Sequence, residues 1–265
     1  MELMYLGTAA AEGVPAIFCD CEACKRARKL GGKEIRTRSG AIVDGVLKLD
    51  FSPDAYYQML THGLSYVGVR NILITHSHWD HFAPLDISFI QPPFSHREEK
   101  LTVWGNSRVG EMLKPHLKEG LLEFRELKWF DAVDIGGYAV TALPAVHAAG
   151  ENALIYLIEK DGKSILYAHD TDEFPREVMD FLAGRKIDLI SLDCTNGILE
   201  ADYVGHMGIT DNLRMREKLL ANGAADGHTV FVCNHFSHNG VETMEEMARR
   251  ATGFLISYDG MKINI

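Results

Sequence analysis

The chain has little that would carry it to a membrane, out of the cell or onto a nucleic acid. None of its apolar runs approaches the roughly 20 residues that span a bilayer. The opening Met1-Glu2-Leu3-Met4-Tyr5-Leu6-Gly7 lacks the charged start and apolar stretch of a signal peptide, so the expected compartment is the cytoplasm. Basic residues are in deficit: 27 Lys and Arg against 37 Asp and Glu leave a net charge of −10. That balance speaks against gripping long nucleic acid by bulk electrostatics, although it leaves room for a local basic patch. Cysteine is scarce, and five thiols without an export signal point to metal binding or buried thiols instead of disulfides. Linkers and low-complexity segments are missing too, so residues 1–265 read as one domain, and an apolar fraction of 46% is ample for its core.

What is present is concentrated in Ile74-Thr75-His76-Ser77-His78-Trp79-Asp80-His81-Phe82, where His76, His78, Asp80 and His81 are four potential metal ligands. The preceding Val69-Arg70-Asn71-Ile72-Leu73-Ile74 reads as a buried strand. Alternate residues of extended chain share a face, which pairs His76 with His78. Asp80 and His81 follow as the chain bends and point elsewhere, so two metals sharing the loop fit better than one tetrahedral ion. Imidazole and carboxylate suit Zn, Mn or Fe without choosing among them. A surface histidine cluster is the competing reading, but burying so many polar rings without partners is costly.

Strand hairpins and strand–helix alternation recur in both halves. Hairpin turns are expected at Asp44-Gly45 and Asp161-Gly162, and helices over 53–63, 107–119, 175–183 and 241–251, with an amphipathic one following His206. This pattern predicts an α/β (α+β) fold: two mixed sheets face to face with helices outside, a four-layer αββα sandwich. His76, His147, Asp170 and His235 each follow a predicted strand, so loops at one edge would gather them. Asp50 ends a strand, either orienting a histidine ligand or capping the next helix. Asp193 likewise either orients His206 or caps a turn. His62, His96, His116 and His228 have no motif context, and Cys194 and Cys233 read as buried thiols, with a metal-proximal place conceivable for Cys233.

A second cluster lies in Phe18-Cys19-Asp20-Cys21-Glu22-Ala23-Cys24. Three thiols at this spacing suit a metal, whereas a Cys-x-Cys disulfide would close a strained ring. Three thiolates on Zn leave a fourth position for a ligand from elsewhere in the chain. The adjoining Lys25-Arg26-Ala27-Arg28-Lys29 reads as a short exposed helix.

HxHxDH is the signature of the metallo-β-lactamase superfamily, which this chain resembles over nearly its whole length. The resemblance implies one metal on His76, His78 and His147, a second on Asp80, His81 and His235, and Asp170 bridging both, with Asp80 and Asp170 thereby part of the catalytic machinery. Cys-x-Cys-x-x-Cys together with the later His-x-x-His resembles more closely the PhnP family of cyclic-phosphate phosphodiesterases. That likeness implies a structural zinc on Cys19, Cys21, Cys24 and His238. The Cys run is also similar to that of the PqqB proteins of quinone-cofactor synthesis.

The implied activity is hydrolysis of a small phosphodiester, such as phosphoribosyl 1,2-cyclic phosphate, by a hydroxide activated between two active-site metals, Mn or Zn, about 3.5–4 Å apart. His206, in Gly205-His206-Met207-Gly208, matches a histidine placed to serve the leaving group and is the candidate general acid; a histidine packed at a helix start is the alternative. Arg38 and Ser39 are candidate phosphate contacts. Other readings of the same centre are tRNase Z-like RNA processing, hydrolysis of a lactone, thioester or β-lactam, and a role in cofactor synthesis. Neither nucleic acid nor membrane is an expected partner, and a homodimer is left open.

Overall fold

The computed structural model describes residues 1–200 and 204–265. Fourteen strands lie among them: β1 (Glu2–Gly7), β2 (Gly40–Val43), β3 (Leu47–Leu49), β4 (Asn71–Leu73), β5 (Leu101–Gly105), β6 (Leu122–Glu126), β7 (Ala132–Ile135), β8 (Tyr138–Pro144), β9 (Leu154–Lys160), β10 (Lys163–Ala168), β11 (Leu189–Asp193), β12 (Val230–Asn234), β13 (Leu255–Ile256) and β14 (Lys262–Asn264). Seven α-helices accompany them: α1 (Glu22–Leu30), α2 (Ala55–Thr61), α3 (Pro84–Ile87), α4 (Ser107–Leu113), α5 (Arg176–Leu182), α6 (Ile209–Ala221) and α7 (Met244–Arg250).

The strands form two seven-stranded sheets, β14-β1-β2-β3-β4-β5-β6 and β13-β12-β11-β10-β9-β8-β7. Both are mixed. In the first, β14, β1, β2 and β3 pair antiparallel and β3 to β6 parallel. In the second, β7 to β10 pair antiparallel and β10 to β13 parallel.

Side-chain alternation explains why the central strands read as continuous apolar runs: both of their faces are covered. On β1, Leu3 and Tyr5 enter the core between the sheets, while Met4 and Leu6 face an outer core shared with Val109 and Leu113 of α4. On β9, Tyr156 and Ile158 point inward. Ile155 and Leu157 instead join the opposite outer core with Val178 of α5, Met215 and Leu219 of α6 and Met247 of α7. The result is the expected αββα layering.

Some boundaries moved. The helix expected over 107–119 stops at Leu113 and continues only as a 3-10 turn, Lys114–His116, because Pro115 has no backbone N–H to donate. The helix expected from Val241 starts at Met244, where Thr243 caps it by accepting from the Glu246 N–H. The strand expected over 69–74 is trimmed to β4. The edge strands β7 and β14 are additions.

The parallel pairs β3–β4 and β10–β11–β12 end at the same edge within their sheets. Strand β8 also ends beside β10, since both run antiparallel to β9. Loops after β3, β4, β8, β10, β11 and β12 supply the candidate site.

Candidate active site

Three residues at these strand ends adopt left-handed backbone: Asp50 (φ 53°), Asp170 (φ 50°) and His235 (φ 66°). This region is sparsely populated for non-glycine residues, and such strain collects at functional sites. The turn it makes lets a side chain leave the strand end sharply.

The structure brings together all seven residues of the expected ligand set. His76, His78 and His147 form one group of converging donor atoms, and Asp80, His81 and His235 another. Asp170 lies between them, with Oδ2 2.6 Å from His81 Nε2 and 3.0 Å from His235 Nε2, and Oδ1 3.8 Å from His147 Nε2. All are buried except His78 and His147, which are half-buried at the cleft.

Hydrogen bonding fixes which ring nitrogen carries the proton in four of the five histidines. His81 Nδ1 lies 2.8 Å from the Asp50 carboxylate, which can only accept, so Nδ1–H donates and Nε2 keeps its lone pair. Thr195 donates its hydroxyl proton to Asp193 at 2.9 Å, and therefore accepts from His235 Nδ1 at 2.8 Å. Thr75 likewise donates to Asp50 and accepts from His76 Nδ1 at 3.0 Å. His147 Nδ1 donates to the Gly205 carbonyl at 3.2 Å.

Four Nε2 lone pairs therefore point inward. His76 and His147 Nε2 sit 3.0 and 3.2 Å from His78 Nδ1, and His81 and His235 Nε2 sit 3.1 Å apart. Buried Asp170 Oδ2 faces two of these nitrogens, His81 Nε2 at 2.6 Å and His235 Nε2 at 3.0 Å. Acceptors crowded against acceptors repel unless cations lie among them, and this donor chemistry suits divalent metals. Burial disfavours a charged ring at His81, but Asp170, Asp50 and Asp80 outweigh it and drive the His81 pKa well above its usual value. A proton and a metal cation answer the same local excess of negative charge.

His206 completes the ring of groups. Its Nδ1 is 3.2 Å from Asp193 Oδ2 and 3.5 Å from Asp170 Oδ1. Burial works against its protonation, yet Asp193 and Asp170 raise its pKa to about 9. Asp193 meets both expectations stated for it. Besides facing His206, it accepts from the Thr195, Met207 and Asp170 N–H groups and so ties three loops together. Asp50 orients His81 and holds Thr75; the cap position of α2 belongs to Asp54.

A cleft of about 420 Å³ opens over the cluster, lined by His78, Asp80, His147, Asp170, His206 and His235 together with Ala10, Ala11, Glu12, Ser237, His238 and Asn239. A larger cavity, about 890 Å³, lies against buried Lys48 and the aromatic side chains of Phe51, Tyr66 and Phe89. None of the ligand candidates lines it.

The thiol cluster is also assembled. Cys19, Cys21, Cys24 and His238 place their ligand atoms within 4.8 Å of one another. His238 Nδ1 is 3.4 Å from Cys21 Sγ and 3.6 Å from Cys24 Sγ. Contact with His238 pulls the Cys21 pKa down to about 6, favouring the thiolate that binds metal.

Expectations for Ser39, Arg38 and Cys233 meet a different placement. Ser39 is fully buried and does not line the cleft, so it is not placed to contact a substrate. Arg38 is held at the rim by Asp54 (2.9 Å) and the Ala11 carbonyl (2.8 Å). Cys233 contacts Asn212 and lies outside the ligand groups. His169 is engaged with Ser191 Oγ at 2.7 Å and Asn234 at 3.2 Å.

Residues missed by sequence reasoning include Thr75, Thr195 and Glu151, whose carboxylate accepts from the Ser77 N–H at 2.6 Å and pins the ligand loop. Glu12 was also missed: it accepts from Ser237 and faces His238 Nε2 at 3.8 Å. Only the adjacency of Thr75 and Thr195 to strand ends marked them in advance.

A family model, the β-lactamase superfamily domain, matches residues 48–229. The chain belongs to that superfamily. Solved structures similar to this superfamily member include a new diphosphatase from the PhnP family, at 24% identity and TM-score 0.78 over 99% of this chain and 97% of that one. Zn(2+)-bound PqqB from Methylobacterium extorquens is similar at 18% identity and TM-score 0.78 over the whole of both chains. The short form of human tRNase Z matches at 15% identity and TM-score 0.67 over 100% of this chain and 99% of that one. An octanoyltransferase of Porphyromonas gingivalis is 31% identical over 119 residues, 44% of this chain and 23% of that protein. The chain thus spans under a quarter of the curated relative it matches.

Two expected results follow for this β-lactamase superfamily chain. Thr195→Val removes the acceptor that holds the His235 tautomer. It should weaken metal binding at that position by roughly 10–100-fold, as loss of an outer partner does, measured by competition with a chelator. Unchanged affinity would mean that the Thr195 contact is incidental. At the thiol cluster, protein produced in Mn2+ medium should keep about one zinc per chain, since four N/S ligands close a tetrahedral site. Cys21→Ser should lose that zinc and melt at a lower temperature; equal zinc in both proteins would place the ion elsewhere.

Proposed function

We propose that the protein is a dinuclear metal-dependent phosphodiesterase acting on a small cyclic phosphate ester, such as phosphoribosyl 1,2-cyclic phosphate, with Mn or Zn in the active site and a structural zinc at the thiol cluster. The observation that carries this reading is His206, fixed by Asp193 at the edge of the ligand cluster and facing the cleft. Alkoxide leaving groups are poor and gain from a proton donor. Similarity in fold to the PhnP-family diphosphatase supports the same reading.

When bound, the two metals supply an acidified water and neutralise charge on the phosphoryl oxygens. The chain's own residues do the rest. Asp170 spans the two ligand groups and sets their separation. Asp50, Thr75, Thr195 and the Gly205 carbonyl hold four imidazoles with Nε2 turned inward. His206 keeps its proton through Asp193 and delivers it to the departing oxygen. Glu151 holds the His76–His81 loop against β8 and β9 through the Ser77 N–H. His238 lies three residues beyond His235, so the thiol cluster braces the loop that carries an active-site ligand.

A substrate panel tests the proposal. Metal-loaded protein should hydrolyse bis(p-nitrophenyl) phosphate and a five-membered cyclic phosphate, and stop on addition of a chelator. Precursor tRNA and a lactone complete the panel. Lactone opening with every phosphodiester left intact would overturn the reading, and cleavage of precursor tRNA with small esters untouched would redirect it to RNA.

A further inference from the structure

We propose that Trp79 is a stacking surface for a planar, nucleobase-like group on the substrate; this rests on the phosphodiesterase reading and narrows its substrate class. Trp79 does not itself line the cleft, but it sits between His78 and Asp80, which do, and the residue is 55% exposed. An exposed aromatic residue alone is ordinary. Here a second feature accompanies it: the Arg38 guanidinium lies over the indole, 4.7 Å from the ring centroid. Arg38 does not hang free. Asp54 holds it through Nη1 at 2.9 Å and the Ala11 carbonyl through Nε at 2.8 Å, and Ala11 itself lines the cleft.

One face of the ring is therefore occupied by a cation that the rim of the cleft holds in place. Ligation requires nothing of position 79, since the metal-facing groups are its neighbours. Folding does not account for it either, because the indole contributes to none of the apolar cores. A ring already ordered by an immobilised guanidinium loses little freedom when a second planar group joins the stack. Such stacking tolerates any base because every base has a π-face. The chemistry that matches is a small phosphodiester that carries a nucleobase, which phosphoribosyl 1,2-cyclic phosphate does not, with phosphorus over the ligand cluster and the base against Trp79. Arg38 then acts as a positioning residue for the indole, and the phosphate contact expected of it is replaced by this role.

The test uses the metal-loaded full chain and two esters that release the same p-nitrophenolate: thymidine 5′-p-nitrophenyl phosphate and methyl p-nitrophenyl phosphate. The wild type should prefer the nucleoside ester. Trp79→Ala should lower the ratio of the two kcat/KM values roughly tenfold, mainly through KM, while Trp79→Phe retains most of it. An unchanged ratio in Trp79→Ala, or equal losses on both esters, overturns the proposal. If neither ester nor the five-membered cyclic phosphate of the panel is hydrolysed, it is the phosphodiesterase reading that fails. Whenever the two esters stay intact, stacking is judged by equilibrium binding of AMP and ribose 5-phosphate. Weakening of AMP by Trp79→Ala beyond that of ribose 5-phosphate upholds the stacking role; equal or absent weakening removes it.

Discussion

Replacing Asp170 with asparagine should remove nearly all metal-dependent hydrolysis while leaving the chain folded. Asn keeps the shape and, unlike most residues, tolerates the left-handed backbone found at position 170 (φ 50°), so the change isolates the charge. The backbone N–H of residue 170 still donates to Asp193 at 3.0 Å, which preserves the loop. What is lost is the carboxylate facing His81, His235 and His147. Loss of an outer partner of a metal ligand already costs roughly 10–100-fold in metal affinity or activity, so loss of this carboxylate should cost roughly 100-fold or more. Metal content by elemental analysis should fall alongside kcat. Activity within a few-fold of wild type, with full metal content, would show that Asp170 does not span the two ligand groups.

Of the ligands that set this expectation, His76, His78, Asp80 and His81 are legible from their own loop. The family resemblance joins His147, Asp170 and His235 to them, and their strand ends show only that one edge can gather them. A histidine that follows an apolar run can be placed at an edge without knowing the rest of the fold, and His76, His147 and His235 were read in that way. The cysteine cluster was legible by spacing alone, and α1 supplies the physical basis: Cys21 precedes its first turn and Cys24 lies within it. Other features left little trace. Thr75 and Thr195 matter through single hydroxyl protons whose direction depends on Asp50 and Asp193, residues 25 and 2 positions away respectively. Glu151 reaches the ligand loop across 74 positions of chain, and no local pattern reports such a contact. β14 is three residues long and alternates exposed, buried, exposed at a sheet edge, so its apolar signal is a single isoleucine. Ser39 was misread for the opposite reason. A polar residue after two arginines looks like a loop, but its N–H donates to the Ala9 carbonyl and its side chain is fully enclosed.

His206→Ala should separate substrates by their leaving groups. On an alkyl phosphodiester the departing oxygen needs a proton, and loss of a general acid there costs typically 10²–10⁴-fold. On a p-nitrophenyl ester the leaving phenolate is stable without one, so the same variant should lose far less. The pH dependence gives an independent reading with a definite sign. Burial opposes the charged ring, but Asp193 and Asp170 raise its pKa to about 9. The donor is therefore in place below that value and is lost as pH rises through it. Wild-type rates on the alkyl substrate should decline along an alkaline limb, and His206→Ala should lack that limb. Asp193→Asn should shift the limb to lower pH, because it withdraws the carboxylate 3.2 Å from Nδ1. Equal losses on both esters would assign His206 to substrate binding or to the fold, since only a proton donor distinguishes substrates by the basicity of what departs.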